Sequence, residues 1–223
     1  MQDFTFGGIS NEVGLSILDL PGGDYIVAGD IEITPTLYNP FYARINRQQE
    51  IIFFTTFDIA QNSGCKSMIL NAEGNLVFCG EIAGVLDPQF DLLVATADTS
   101  GNILSITATP GIGIEAGYDI AAATDSTYMI TGFGFNTATD EHDIVVIETD
   151  DAGNVIHRKF FGNTGPDLTY DIKVIDGYHF LVSGFTTIDG TKYFTVIYDA
   201  FVPLSAAWEQ LDTENIIITP QPA

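Results

Sequence analysis

The 223-residue chain sets 30 Asp and Glu against 7 Lys and Arg, a formal charge of −23, and combines 46 % hydrophobic residues with 22 glycines. The apolar fraction excludes a disordered acidic tail, the charge repels phosphate backbones and argues against nucleic acid as a partner, and no apolar run is long enough for a transmembrane helix. The length suits one large or two small domains.

In chain order, Met1-Gln2-Asp3-Phe4 has neither the basic start nor the apolar stretch of an export signal. The chain is then either cytosolic or begins after a removed export signal, and low lysine, abundant Thr, Gly and Asn, and a pI near 4.1 favour the second. They fit a high-salt habitat equally well. Residues 2–7 read as a strand. A second follows near 14–20, then the hairpin chemistry Pro21-Gly22-Gly23-Asp24. The apolar run Tyr25-Ile26-Val27-Ala28-Gly29 reads as a strand ending at its glycine, and further strands fall near 40–45 and 51–57.

The same order then returns. Leu76–Gly80, Tyr128–Gly132 and Phe180–Gly184 repeat the glycine-terminated run, with glycine spacings of 51, 52 and 52. Three further columns keep phase: Ile17, Met68, Ile120 and Ile172; Phe6, Phe57, Thr109 and Phe161; Ile51, Ile103 and Val155. Such a period is the signature of a repeat architecture. Each repeat reads as four strands, a to d. Strand a recurs near 65–70, 117–122 and 169–175, strand c near 92–97, 144–149 and 193–198, and strand d near 103–109, 155–161 and 204–210. The c–d turns Asp98-Thr99-Ser100-Gly101-Asn102 and Asp150-Asp151-Ala152-Gly153-Asn154 pair a capping Asp with a glycine suited to positive φ. No segment carries a 3.6-residue apolar period, so little helix is expected. A last apolar strand is expected at 215–219.

Strand b is apolar at nearly every position, as in a strand buried on both faces. The expected fold is therefore all-β and β-propeller-like: one domain over 1–223, with four blades of about 52 residues near 8–57, 58–109, 110–161 and 162–210, and a C-terminal segment 211–223. A β-sandwich, or an open or partial propeller, is the alternative. Cys65 and Cys79 flank the turn Asn71-Ala72-Glu73-Gly74. They would face each other if paired residue numbers sum to 144, and would be offset by one if they sum to 145. A disulfide and two buried thiols both remain open.

At Phe6-Gly7-Gly8, Gly22-Gly23-Asp24-Tyr25-Ile26-Val27-Ala28-Gly29, Asp143-Ile144-Val145-Val146-Ile147 through Asp150, and Phe161-Gly162-Asn163 through Tyr170-Asp171, the chain resembles the secreted β-propeller repeat proteins common in Bacteroidota. The resemblance covers almost the whole chain. It implies an extracellular or outer-membrane location, often as a lipoprotein or part of a larger envelope complex. The basic residue of that pattern in strand c is replaced by Thr96 and Glu148 in two repeats.

For chemistry, His142, His157 and His179 share no metal-pair spacing. No nucleophile elbow, Walker loop or HExxH motif is present. Asp150–Asn154 lacks the alternating oxygens of a calcium loop, so no cofactor is expected and calcium stays without a motif. In an up-and-down blade the d–a and b–c loops share one face, and here they are the long ones, where binding sites usually sit. Their carboxylates and aromatics nominate Asp30, Tyr38, Glu81, Glu115, Phe133, Asp167 and Phe185 as binding residues for a protein or glycan partner. The expected function is a non-enzymatic surface scaffold. The alternative is a carbohydrate-active enzyme, which would need two carboxylates across a cleft.

Overall fold

The computed structural model describes residues 10–84, 89–109, 115–162 and 165–201. The strands expected at 2–7, 204–210 and 215–219 lie outside the described residues. Fifteen strands form four antiparallel sheets, with no helix among the described residues. The first sheet holds β1 (Glu12–Asp19), β2 (Tyr25–Thr34), β3 (Leu37–Ile45) and β4 (Ile51–Thr56). The second holds β5 (Ser63–Leu70), β6 (Leu76–Ala83), β7 (Phe90–Ala97) and β8 (Ile103–Thr109). The third holds β9 (Glu115–Ala122), β10 (Thr127–Asn136), β11 (Glu141–Asp150) and β12 (Val155–Phe161). The fourth holds β13 (Leu168–Val174), β14 (His179–Ile188) and β15 (Thr191–Ala200). Within each sheet the strands pair in chain order, so each is an open up-and-down meander.

The c–d turns form as their sequences dictate. Asp98 Oδ1 accepts from the Ser100 and Asn102 N–H groups, and Asp150 Oδ1 from those of Ala152 and Asn154. Gly101 and Gly153 supply the positive φ. These hydrogen bonds hold both carboxyls below the usual carboxylate range.

The repeated glycine has a steric cause. Strand a carries one extra residue in every sheet: Leu15, Lys66, Tyr118 and Tyr170 each have no partner in the ladder, where the register jumps. This one-residue bulge pushes a backbone carbonyl toward the neighbouring strand. A Cβ on Gly29, Gly80, Gly132 or Gly184 would overlap the carbonyl oxygen of Val13, Gly64, Ala116 or Leu168 respectively. The glycine thus makes room for a bulge and does not end the strand. β2, β10 and β14 run on to Thr34, Asn136 and Ile188. The segments 30–39, 133–142 and 185–192, expected as long loops, are in fact mostly strand, closed by short turns.

The chain divides into two compact units, residues 1–111 and 112–223, each holding two meanders. In the first unit β5 lies across β1, β2 and β3, and in the second β13 lies against β9 and β10. The core of the first unit joins Ile26, Ala28, Tyr42 and Phe57 to Cys65, Met68, Leu76, Phe78 and Leu93. Its rings interlock, Tyr42 with Phe78 at 5.5 Å and Phe57 with Phe78 at 5.3 Å, and each such buried side chain stabilises by about 1.5–3 kcal/mol. In the second unit Met129, Ile144 and Val146 meet Ile172, Phe180, Val182 and Phe201. In β6 and β10 consecutive residues are buried, Leu76 to Cys79 and Tyr128 to Ile130, as the unbroken apolar pattern of strand b required.

Cys65 pairs with Gly80, a sum of 145, and beyond the bulge Ser67 pairs with Cys79. Side chains alternate along a strand. Cys65 therefore joins the core face with Leu76 and Phe78, while Cys79 shares the opposite face with Val77. Both thiols are buried and unbridged, the second of the two states that the sequence left open. Burial, with Asp30 close by, pushes the Cys65 thiol far above its ordinary range.

Candidate functional site

The bulged residue of strand a and the residue after the strand-b glycine make a recurring pair of positions: Leu15 and Asp30, Lys66 and Glu81, Tyr118 and Phe133, Tyr170 and Phe185. In the last three sheets the two side chains are in contact. Four of the nominated residues, Asp30, Glu81, Phe133 and Phe185, are the post-glycine members of this set.

In the first unit these positions carry charge. Lys66 Nζ lies 3.1 Å from Glu81 Oε1 and 3.5 Å from Asp30 Oδ2, and Asp30 Oδ1 accepts from the Cys65 N–H at 2.7 Å. Burial lifts the Asp30 carboxyl above its ordinary value, although Lys66 and the Cys65 amide pull the other way. Burial works to lower the Lys66 ammonium, but Glu81 and Asp30 outweigh it and raise it. Tyr38 stands at the same end, its N–H donating to Asn62 Oδ1 at 2.9 Å. Asp30 and Glu81 are therefore satisfied by one lysine and are poorly placed to hold a further partner.

In the second unit the same positions carry aromatic rings. The ring centroids of Phe135 and His142 are 5.6 Å apart, those of His142 and Phe133 5.8 Å, and those of Phe133 and Tyr118 5.8 Å. The run continues from Tyr118 to Tyr170 at 5.8 Å and on to Phe185 at 6.5 Å. Lys192 Nζ sits 4.0 Å above the Phe185 ring. Tyr170 is exposed and the other rings are half-buried. Six rings thus form one strip across the third and fourth sheets, fixed on strand backbone and ending in a cation.

Two nominated residues do not reach the surface. Glu115 is 1 % exposed and pairs with Arg158 at 3.0 Å. Asp167 is fully buried, and its Oδ1 accepts from the Thr187 N–H at 2.6 Å. Both were expected on an accessible loop, but Glu115 opens β9 and Asp167 is held by the turn into β13. Sequence reasoning missed Tyr118 and Tyr170, because an alternating strand hides a bulged residue. Their signal was available: Lys66, Tyr118 and Tyr170 share the 52-residue phase. His157 and His179 make local contacts with Glu148 at 2.7 Å and Asp176 at 2.9 Å. Among the described residues no group of three or more His, Cys, Asp or Glu side chains is placed to hold a metal. Among the described residues no helix is long and apolar enough to cross a membrane. No protein-family model and no curated protein matches the sequence.

Proposed function

We propose that this chain is a non-enzymatic binding module of the β-propeller type, exported or displayed at the cell surface, and that the aromatic strip of its second unit holds a glycan. The propeller reading rests on the phase-locked repeat and on the way strand a of the second meander in each unit packs on the meander before it. The single observation behind the ligand class is the strip itself. Sugar rings present flat C–H faces that stack on aromatic faces, while their hydroxyls seek polar groups at the margins. Six contiguous rings on rigid strands, edged by Lys192 and by acidic turns, offer that combination. The same rings would suit stacked bases, but the −23 charge opposes a polyanion. A hydrolytic role has less support: Asp143 and Asp167 are close but fully buried, Asp30 and Glu81 are bound to Lys66, and glycoside hydrolysis needs two acids facing a shared cleft.

The test is calorimetric titration of the intact chain with soluble poly- and oligosaccharides, alongside the Tyr118→Ala/Tyr170→Ala variant. Saturable binding weakened at least about tenfold by the double substitution, the order of two lost stacking contacts, is the expected result. Absence of glycan binding, or binding indifferent to both tyrosines, overturns the proposal. Lys66→Met, in the other unit, serves as the control and leaves affinity unchanged.

A further inference from the structure

We propose that the second unit holds a structural calcium ion between Asp143 and Asp167, beneath the aromatic strip. The ladder registers make Asn39 in the first unit the equivalent of Asp143, and Ser63 the equivalent of Asp167. Asn39 lies opposite Ile31 and Asp143 opposite Gly134, one pair two residues beyond Gly29 and the other two beyond Gly132. Ser63 pairs with Ile82, two residues past Gly80, and Asp167 stands at the matching place before β13.

In the first unit the pair is neutral and its bonds are made. Asn39 Nδ2 donates to the carbonyl oxygens of Phe57 and Ile59 at 3.0 and 2.9 Å, and the Ser63 hydroxyl donates to Asn39 Oδ1 at 3.2 Å. An electropositive N–H2 group thus sits where backbone oxygens converge. In the second unit a carboxylate takes the place of that amide and another carboxylate the place of the serine, so the donor is gone and two negative charges are added.

The remaining contacts of Asp143 do not compensate. Its Oδ2 accepts from Asn136 Nδ2 at 2.6 Å and from the Thr139 hydroxyl at 2.9 Å. Its Oδ1 is buried with no hydrogen-bond partner, and the residue is 0 % exposed. A Cβ added to Gly162 would overlap both Asp143 Oδ1 and Asp167 Oδ2, so these two oxygens lie close together beside a residue that has no side chain. Gly162 itself is exposed. An unpartnered buried carboxylate oxygen close to a second carboxylate is unfavourable unless a cation joins them. Two carboxylates completed by carbonyl oxygens and water form the donor set of calcium, which tolerates irregular geometry. Zinc favours nitrogen and sulfur ligands, which these two carboxylates do not supply.

The ion would brace the strip from below. Asp143 directly follows His142, whose ring belongs to the strip and whose carbonyl accepts the Asp167 N–H at 2.9 Å. The test uses the full chain stripped with EDTA and desalted, titrated with Ca2+ by calorimetry and with Tb3+ by sensitised luminescence. Asp143→Asn/Asp167→Ser installs the neutral pair of the first unit, and Asp143→Asn alone is the fallback if the double variant misfolds. The expected result is a saturable site whose stoichiometry falls by one ion per chain in the variant, with loss of the calcium-dependent rise in Tm, while Asp98→Asn leaves both unchanged. No saturable site in the native chain, or equal stoichiometry in variant and native protein, overturns the proposal.

Discussion

Gly80 shows how one atom's absence sets a repeat. It faces the bulge at Lys66, and the Gly64 carbonyl occupies the space its Cβ would need. The obstacle is backbone, so no rotamer change relieves it, and either the bulge or β6 must shift. Gly80→Ala is expected to destabilise the fold by roughly 1–3 kcal/mol, the range of an overpacked core. Urea unfolding of the two proteins measures it, and a midpoint within error of the native one would refute the steric account. A substitution at Gly74 is a useful contrast. That residue has positive φ but nothing within reach of a Cβ, so its cost is conformational and not steric.

At the scale of the strand, the bulge separates what could be read in the sequence from what could not. The period was legible because glycine and the apolar columns recur in phase, and the c–d turns were legible because Asp98 and Asp150 with their glycines carry local chemistry. Strand ends were not. Gly29 and Gly132 look like terminators to a propensity reading, and only the neighbouring strand reveals that each accommodates a carbonyl. The same blind spot placed Phe133 and Phe185 on loops and overlooked Tyr118 and Tyr170. The burial of Glu115 was hidden because its partner Arg158 is 43 residues away in sequence. If the bulge fixes register, deleting Lys66 must do more damage than changing it. Lys66→Ala removes two largely buried ion pairs and leaves Asp30 and Glu81 without their cation, which lowers stability but leaves the strand register intact. Deletion removes the extra residue, so Ser63 to Cys65 slip by one and Cys65 leaves the core face. The deletion is expected to abolish or broaden cooperative unfolding, seen by circular dichroism, where the alanine variant keeps a sharp transition. Equal effects would show that charge, and not register, is what Lys66 contributes.

For the molecule as a whole, the decisive quantity is the imbalance of charge. Four of the seven cations are already committed to carboxylates: Arg44 to Asp24, Lys66 to Asp30 and Glu81, Arg158 to Glu115, and Lys159 to Asp199. Among the described residues only Glu115, Asp143, Glu148 and Asp167 of the acids are buried, so the other described carboxylates reach solvent at least in part with like charges around them, and folding concentrates that charge. Two effects of salt then oppose each other. Screening weakens the ion pairs, which lowers stability, and it weakens repulsion among the surplus carboxylates, which raises it. The described pairs are few against the surplus of carboxylates, and their partly buried members are screened less than the exposed acids, so repulsion dominates the response to salt. The screening length falls from about 30 Å at 0.01 M to about 8 Å at 0.15 M, a change that spans the separation of most surface acids on a chain this size. Tm is therefore expected to rise with added salt, with most of the gain below 0.15 M. Scanning calorimetry with choline chloride and EDTA present isolates this from binding of calcium at Asp143, because choline is too bulky to enter that site. A Tm that stays flat or falls over this range would mean that the ion pairs outweigh the surplus charge.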